Sequence, residues 1–437
     1  MTTLRISLLA STLATSFLFT GSALADNMFR GNAAHTGYVS EAAPASFASP
    51  AWAFKAKGPV LSSATVDGCI AYFGSDDRNL YAVDVKTGEM KWSFATGGKV
   101  RSTPAVCCGT VFFISYDGKV YALNAQTGEK QWEYATGGER CFEAKGIHGC
   151  IPATQTMPDF WDVFQSSPAV VNGVVYVGSG DGKLHAIDAK TGAAKWQFAT
   201  GDVIHSSPAV ADGVVYIGSW DTNLYAIDAE SGAEIWRFKT GEDNNTHNQT
   251  GIQSSPVVKD GTIYFGCRDS NFYALDAKTG IKKWSYKSTW VNCTPAVADG
   301  VVCFVTSIPS HFIVLDAATG AEKIKAAAPF VLFSSPWIAN GRAYAGCFDG
   351  SLYSCGLAQG DVKLEYATQA ALDSKSAIYN TDGSVNFGGQ IFRCNDFDEM
   401  YFTARKLYDA GAIMSSPVMA CGSMLFGSSD GCMYCFR

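Results

Sequence analysis

A unit of roughly forty residues recurs along most of the chain, which limits it to folds that stack copies of one small sheet. The clearest copy runs from Ser206 to Phe238 and reads SSPAVADGVVYIGSWDTNLYAIDAESGAEIWRF. Four short strands are predicted in it: a (Ser206 to Val210), b (Val214 to Gly218), c (Leu224 to Asp228) and d (Ile235 to Phe238). β-Branched and aromatic residues fill them, and Gly, Asp and Asn mark the turns. Such a sheet is apolar on both faces and cannot bury both by itself. Radial stacking of sheets buries them, which predicts an all-β, closed β-propeller.

Strand a of successive units starts at Ser62, Ser102, Ser166, Ser206, Ser254, Cys293, Ser334 and Ser415. The last gap is about twice the repeat. A degenerate copy fits it, with Ser376-Ala377-Ile378, Asp382-Gly383 and Val385 to Gly388, giving nine units. Eight or nine four-stranded blades are therefore both compatible with the sequence. The final unit stops after strand c at Phe436, whereas Ala51 to Phe54 reads as a lone strand d. Pairing these two ends closes the ring and removes the exposed sheet edges.

A second motif, A-x-D-x-x-T-G-x-x-x-W, joins strands c and d. It appears as Ala82, Asp84, Thr87, Gly88 and Trp92, as Ala122, Asn124, Thr127, Gly128 and Trp132, and as Ala186, Asp188, Thr191, Gly192 and Trp196. Ala226 to Trp236 and Ala274 to Trp284 repeat it. Asp and Thr cap the turn, Gly takes the left-handed conformation, and Trp packs between blades. The motif resembles the tryptophan-docking motif of the pyrroloquinoline quinone (PQQ) dehydrogenase propellers and their non-catalytic envelope relatives, across nearly all of residues 26–437. This implies a single propeller domain there.

Residues 1–25 read as a secretory signal. Arg5 precedes the apolar stretch from Ile6 to Phe19, and Ala23-Leu24-Ala25 fits a cleavage site before Asp26. No Cys follows that site, against a lipoprotein, and no later stretch is long and apolar enough to span a membrane. A soluble periplasmic or secreted product is expected. The net charge of -7 and the lack of basic runs argue against nucleic acid as a partner. The cysteines number 14, in keeping with an oxidising compartment, and no Cys-x-x-Cys-His for covalent haem occurs.

Strand order places the d–a and b–c loops on one face, the top, and the a–b and c–d turns on the bottom. Two top loops exceed the repeat: Gly138 to Gln165, and Glu242 to Thr250. Trp161, Trp220 and Trp290 lie outside the docking positions and also fall on top. Residues just before strand a face the channel mouth: Arg101, Gln165, His205, Gln253 and Asn292. With Glu143, Lys145, Asp159, Asp162 and Arg268 they predict a pocket for a small molecule, or else loops that plug the channel. His148, His205 and His247 are candidate Zn or Cu ligands, set against local loop hydrogen bonding.

Cys107-Cys108 follows strand a, so it falls in a bottom turn, unlike the vicinal disulfide that precedes the inner strand in the dehydrogenases. Cys421 and Cys69 fall in neighbouring bottom turns, which suggests a staple at ring closure, Cys69 with Cys108 or with Cys421. Cys141 and Cys150 are candidates to close the long top loop. The acids repeated in the b–c turns, Asp77, Asp117, Asp181, Asp221, Asp269, Asp349 and Asp430, are expected to make Asx-type turn bonds rather than to catalyse.

Two functions follow. The first is a non-catalytic scaffold binding a small molecule or an envelope protein on the top face. The alternative, implied by the resemblance, is a PQQ-dependent dehydrogenase of alcohols or sugars, with Ca2+ activating the quinone. Glu143, Asp159, Asp162 and Asn248 are then the available oxygen donors, but no catalytic residue can be assigned by motif.

Overall fold

The computed structural model describes residues 27–147, 152–241, 250–386 and 397–437. Eight four-stranded antiparallel blades form the ring among them. Blade 4 follows the sequence expectation: Ala209–Ala211, Val214–Gly218, Asn223–Asp228 and Glu234–Lys239 are its strands a to d. Strands b and c are buried on both faces. Strand d alternates exposed and half-buried residues because it forms the outer edge.

Among the described residues the ninth unit forms no blade. Ser376-Ala377-Ile378 belongs to a helix, α1 (Gln369–Ile378), capped by the Thr368 hydroxyl accepting from the Ala371 N–H. A second helix, α2 (Phe397–Asp409), follows before blade 8. The segment has no alternating apolar run to make two-faced strands, and Val385 forms only an isolated bridge with Tyr379. The described part of the wide gap thus carries two helices on the top face between blades 7 and 8.

The ring closes as the terminal half-blades predict. Trp52–Lys55 pairs antiparallel with Cys432–Phe436, and Trp52 faces Cys435 in register. Blades dock through the repeated tryptophans. The indole N–H of Trp92 donates to the Ala125 carbonyl at 3.0 Å, and Trp132, Trp196, Trp236 and Trp284 do the same to the next blade. Trp52 carries this contact across the closing seam, to the Val85 carbonyl at 2.7 Å. Each ring lies on the glycine of the neighbouring c–d turn, where a Cβ on Gly128 would meet Trp92 at 2.7 Å.

The N-terminal segment has a further role that the repeat pattern does not announce. It crosses the bottom mouth, and its carbonyls accept from inner-strand N–H groups of five blades: Val106, Val210, Val258, Val297 and Ile338. Tyr38–Val39 then adds a parallel strand to blade 7. Arg30 points inward, buried, and donates to the carbonyls of Ser335, Pro295 and Pro336. The bottom of the channel is therefore sealed by the chain itself.

Candidate functional site

Two positions of the repeat build the top mouth. One is the residue before strand a, occupied by Arg101, Gln165, His205, Gln253 and Asn292. The other is the residue before the repeated b–c aspartate, where Asp76, Tyr116, Trp220, Arg268 and Phe348 stand. The aspartate itself is structural. Asp117 accepts from the N–H of Lys119 at 3.1 Å, from the Tyr121 hydroxyl at 2.7 Å, and from the Gly97 N–H of the preceding blade's loop at 2.8 Å. Asp77, Asp221 and Asp269 repeat this arrangement. The turn pins the preceding residue toward the axis.

The long top loop folds into a hairpin, Glu143–Lys145 with Thr156–Pro158. The following stretch, Asp159 to Gln165, then lies across the mouth. Asp159 forms a buried ion pair with Arg268, whose guanidinium also donates to Gln253 Oε1 at 2.7 Å and to Asn292 Oδ1 at 3.2 Å. Trp220 and Trp290 flank this cation, 4.3 and 5.3 Å from it, and Phe142 stacks on Trp220 at 4.4 Å. Asp162 accepts from His205 Nδ1 at 2.7 Å and from the Phe142 N–H at 2.7 Å. Glu139 Oε2 faces His205 Nε2 at 3.5 Å, an ion-pair contact rather than a hydrogen bond. Burial opposes charge on His205, but Asp162 and Glu139 outweigh it and push the imidazole up to about 10.

Arg101 completes the polar side. It grips Asp76 through two bonds of 2.8 and 2.7 Å and reaches the Val163 carbonyl at 3.3 Å. Burial raises the Asp76 carboxyl, yet Arg101 and Lys99 hold it below its ordinary value. The other side of the mouth is apolar, with Trp161 packed against Phe333 and Phe348. Gln253 fixes the loop there by donating to the Trp161 carbonyl at 3.1 Å.

Most of the expected mouth residues thus converge, but mainly on each other. Glu143 and Lys145 do not join them and are exposed on the hairpin. His148, Cys150, His247 and Asn248 lie outside the described residues. Of the three candidate metal ligands only His205 lies among the described residues; its Nδ1 donates to Asp162 and its Nε2 faces Glu139. The axial cavity beneath the loop has a volume of about 40 Å3, lined by Arg101, Gln165, His205, Gln253 and a belt of strand-a hydroxyls. That suits a water or two, whereas organic ligands occupy roughly 300–1,000 Å3. PQQ with Ca2+ does not fit there, and cations already hold the carboxylates Asp159 and Asp162.

A larger space lies above the plug. A cleft of about 550 Å3 separates the loop from α2, lined by Lys99, Arg101, Cys141, Phe160, Asp162, Tyr401, Arg405, Tyr408 and Asp409. Tyr401 meets Phe160 edge-on at 6.3 Å. Sequence reasoning missed the α2 side, because a degenerate repeat fits that gap as well as a helical segment does. It also missed Glu139, Asp76, Tyr116 and Phe348. For the last three a signal existed, since the same position had already exposed Trp220 and Arg268.

Fold and mouth together define the class: an eight-bladed, tryptophan-docked β-propeller with a plugged axis. The chain belongs to the PQQ-repeat family described as outer membrane protein assembly factor BamB, whose profile matches residues 41–147 and 153–290. BamB from Moraxella catarrhalis is similar in structure, with a TM-score of 0.63 at 15% identity, over 89% of this chain and 96% of that one. The quinohemoprotein alcohol dehydrogenase from Comamonas testosteroni has a TM-score of 0.66 at 12% identity, over 94% and 80%. A europium-containing methanol dehydrogenase has 0.65 at 14%, over 92% and 90%. At these identities the likeness concerns the fold alone. No curated protein sequence matches the chain.

Proposed function

We propose that the chain is an exported, non-catalytic propeller that binds an envelope protein on its top face, at the cleft between the plug and α2. One observation carries this reading. The buried pairs Asp159–Arg268 and Asp162–His205 close the mouth, so the space where a propeller enzyme would hold a cofactor is filled by the chain's own side chains. What stays accessible is a rim cleft with mixed charge and aromatic edges, a composition suited to a protein segment. The buried Tyr408 hydroxyl at its wall has no partner among the described residues. Family membership supports a partner in the envelope, since the family is described as an assembly factor.

The test has two arms. The chain from Asp26 onward, incubated with PQQ and Ca2+, should give neither dye reduction with alcohols or sugars nor a saturable change in quinone absorbance. Turnover would establish the dehydrogenase instead. A photo-cross-linking residue placed in cells at Tyr401 or Arg405 should yield a protein adduct, whereas one at Ile235 on an outer strand should not. Equal adducts from both positions would remove the cleft as the binding site.

A further inference from the structure

The bottom face holds a second arrangement, unrelated to the cleft. Each a–b hairpin turns through two left-handed residues, and five of the eight use Asn or Asp followed by Gly: Asn172-Gly173, Asp212-Gly213, Asp260-Gly261, Asn340-Gly341 and Asp299-Gly300. Those residue types tolerate the left-handed region at little steric cost. The hairpins of blades 8, 1 and 2 instead carry cysteine there. Cys421 has φ 52, Cys69 has φ 63 and Cys108 has φ 54. Cys69 stands in the second position, where every other blade has glycine. A thiol side chain gains nothing from this conformation by itself, so a strained position of this kind points to a function.

The two residues facing the closing seam meet. Cys69 Sγ lies 2.7 Å from Cys421 Sγ, inside the packing distance of two unbonded sulfurs, and the thiols are not joined in the structure. Cys69 is half-buried and Cys421 exposed, so reagents in solution can reach them. The nearby Cys107 and Cys108 sulfurs lie 3.2 Å apart but belong to one hairpin, so bonding them would join no blades. We infer that Cys69 and Cys421 form a disulfide that turns the strand-paired ring into a covalently closed one. The bond joins residues 352 positions apart and bridges blade 1 to blade 8. It would keep blade 8 in place even when the closing strand Trp52–Lys55 opens.

The chemistry is thiol–disulfide exchange. One thiolate attacks a disulfide donor, forming a mixed disulfide and releasing one donor thiol. The second thiolate displaces the other donor thiol. Two electrons and two protons leave the cysteine pair, and the donor disulfide becomes two thiols.

The test uses the full mature chain and glutathione disulfide, so it does not depend on where the chain resides. After oxidation, alkylation and non-reducing peptide mapping, the peptides holding Cys69 and Cys421 should appear as one linked species that dithiothreitol separates. Recovery of both as alkylated thiols would overturn the inference. The sign of two substitutions gives a second reading. Cys69→Gly and Cys421→Asn restore residues that suit the left-handed turn, so without a bond each should leave Tm unchanged or raise it. With the bond each should lower the Tm of the oxidised protein by about 5 °C, as expected for a long covalent loop in a chain of this size. The double variant should lose no more than either single one. A higher Tm in the oxidised single variants would sink the proposal.

Discussion

Phe47, supplied by the N-terminal segment, packs against Tyr344 of blade 7 with ring centroids 5.9 Å apart and planes at 39°. The docking tryptophans meet the strand-b tyrosines of their own blades almost identically. Trp196 lies 5.7 Å from Tyr176 at 42°, and Trp236 lies 6.0 Å from Tyr216 at 41°. Blade 7 has Leu364 at its tryptophan position, and that side chain is exposed. Phe47 therefore substitutes for the missing indole from outside the blade, and it extends the contact to Phe436 at 5.3 Å. The last seam is held by residues far from it in sequence.

Replacing this ring should loosen blades 7 and 8. Phe47→Ala is expected to cost about 3–5 kcal/mol, as for a buried aromatic truncated to alanine. Denaturant unfolding measures the loss, and hydrogen exchange should rise first in Ser423–Gly427 and Cys432–Phe436. A change below 1 kcal/mol would mean that the ring is not part of the seam.

The mouth ion pairs should respond to pH in a defined direction. His205 binds its proton more tightly in the folded chain, at about 10 against an ordinary 6.5. Its stabilisation is complete below about 6.5 and disappears as pH rises through about 10. In His205→Gln, the difference in stability from the parent should therefore shrink steadily across that window. Parallel curves for the two proteins would show that the histidine is not charged in the native state.

Asp159 and Arg268 offer a test of plugging. Arg268→Met leaves a carboxylate buried without its cation and should cost about 3–5 kcal/mol. Adding Asp159→Leu should recover most of that loss, because apolar pairs often replace buried ion pairs without net cost. A double-mutant cycle measures the coupling, and an additive result would indicate that water already screens the pair.

Two turn glycines separate backbone from packing effects. Gly109 and Gly128 share a left-handed φ, 75 and 73, but only Gly128 has a neighbour at its missing Cβ, the Trp92 ring. Gly109→Ala should cost about 1 kcal/mol from backbone conformation alone. Gly128→Ala should cost about 1–3 kcal/mol more, because the indole must move. Equal losses in thermal unfolding would argue against tight tryptophan docking.

Much of this protein is readable from local spacing. Strand alternation, the left-handed glycines and the docking tryptophans are short-range features that repeat, so the sequence alone determined blade architecture, ring closure through the lone N-terminal strand and the row of polar residues before strand a. It could not decide between eight and nine blades, because Ser376-Ala377-Ile378 matches a strand start over three residues and only helical hydrogen bonding excludes it. Nor could it show that Asp159 answers Arg268, that Asp162 answers His205, or that Phe47 fills the place of a tryptophan in blade 7. Those partners are separated by tens to hundreds of residues, and their pairing depends on how the closed ring brings distant loops over one axis. Only tertiary packing buries Asp159, Asp162, His205 and Arg268 together in the mouth, and buried charges take the nearest opposite charge the fold supplies.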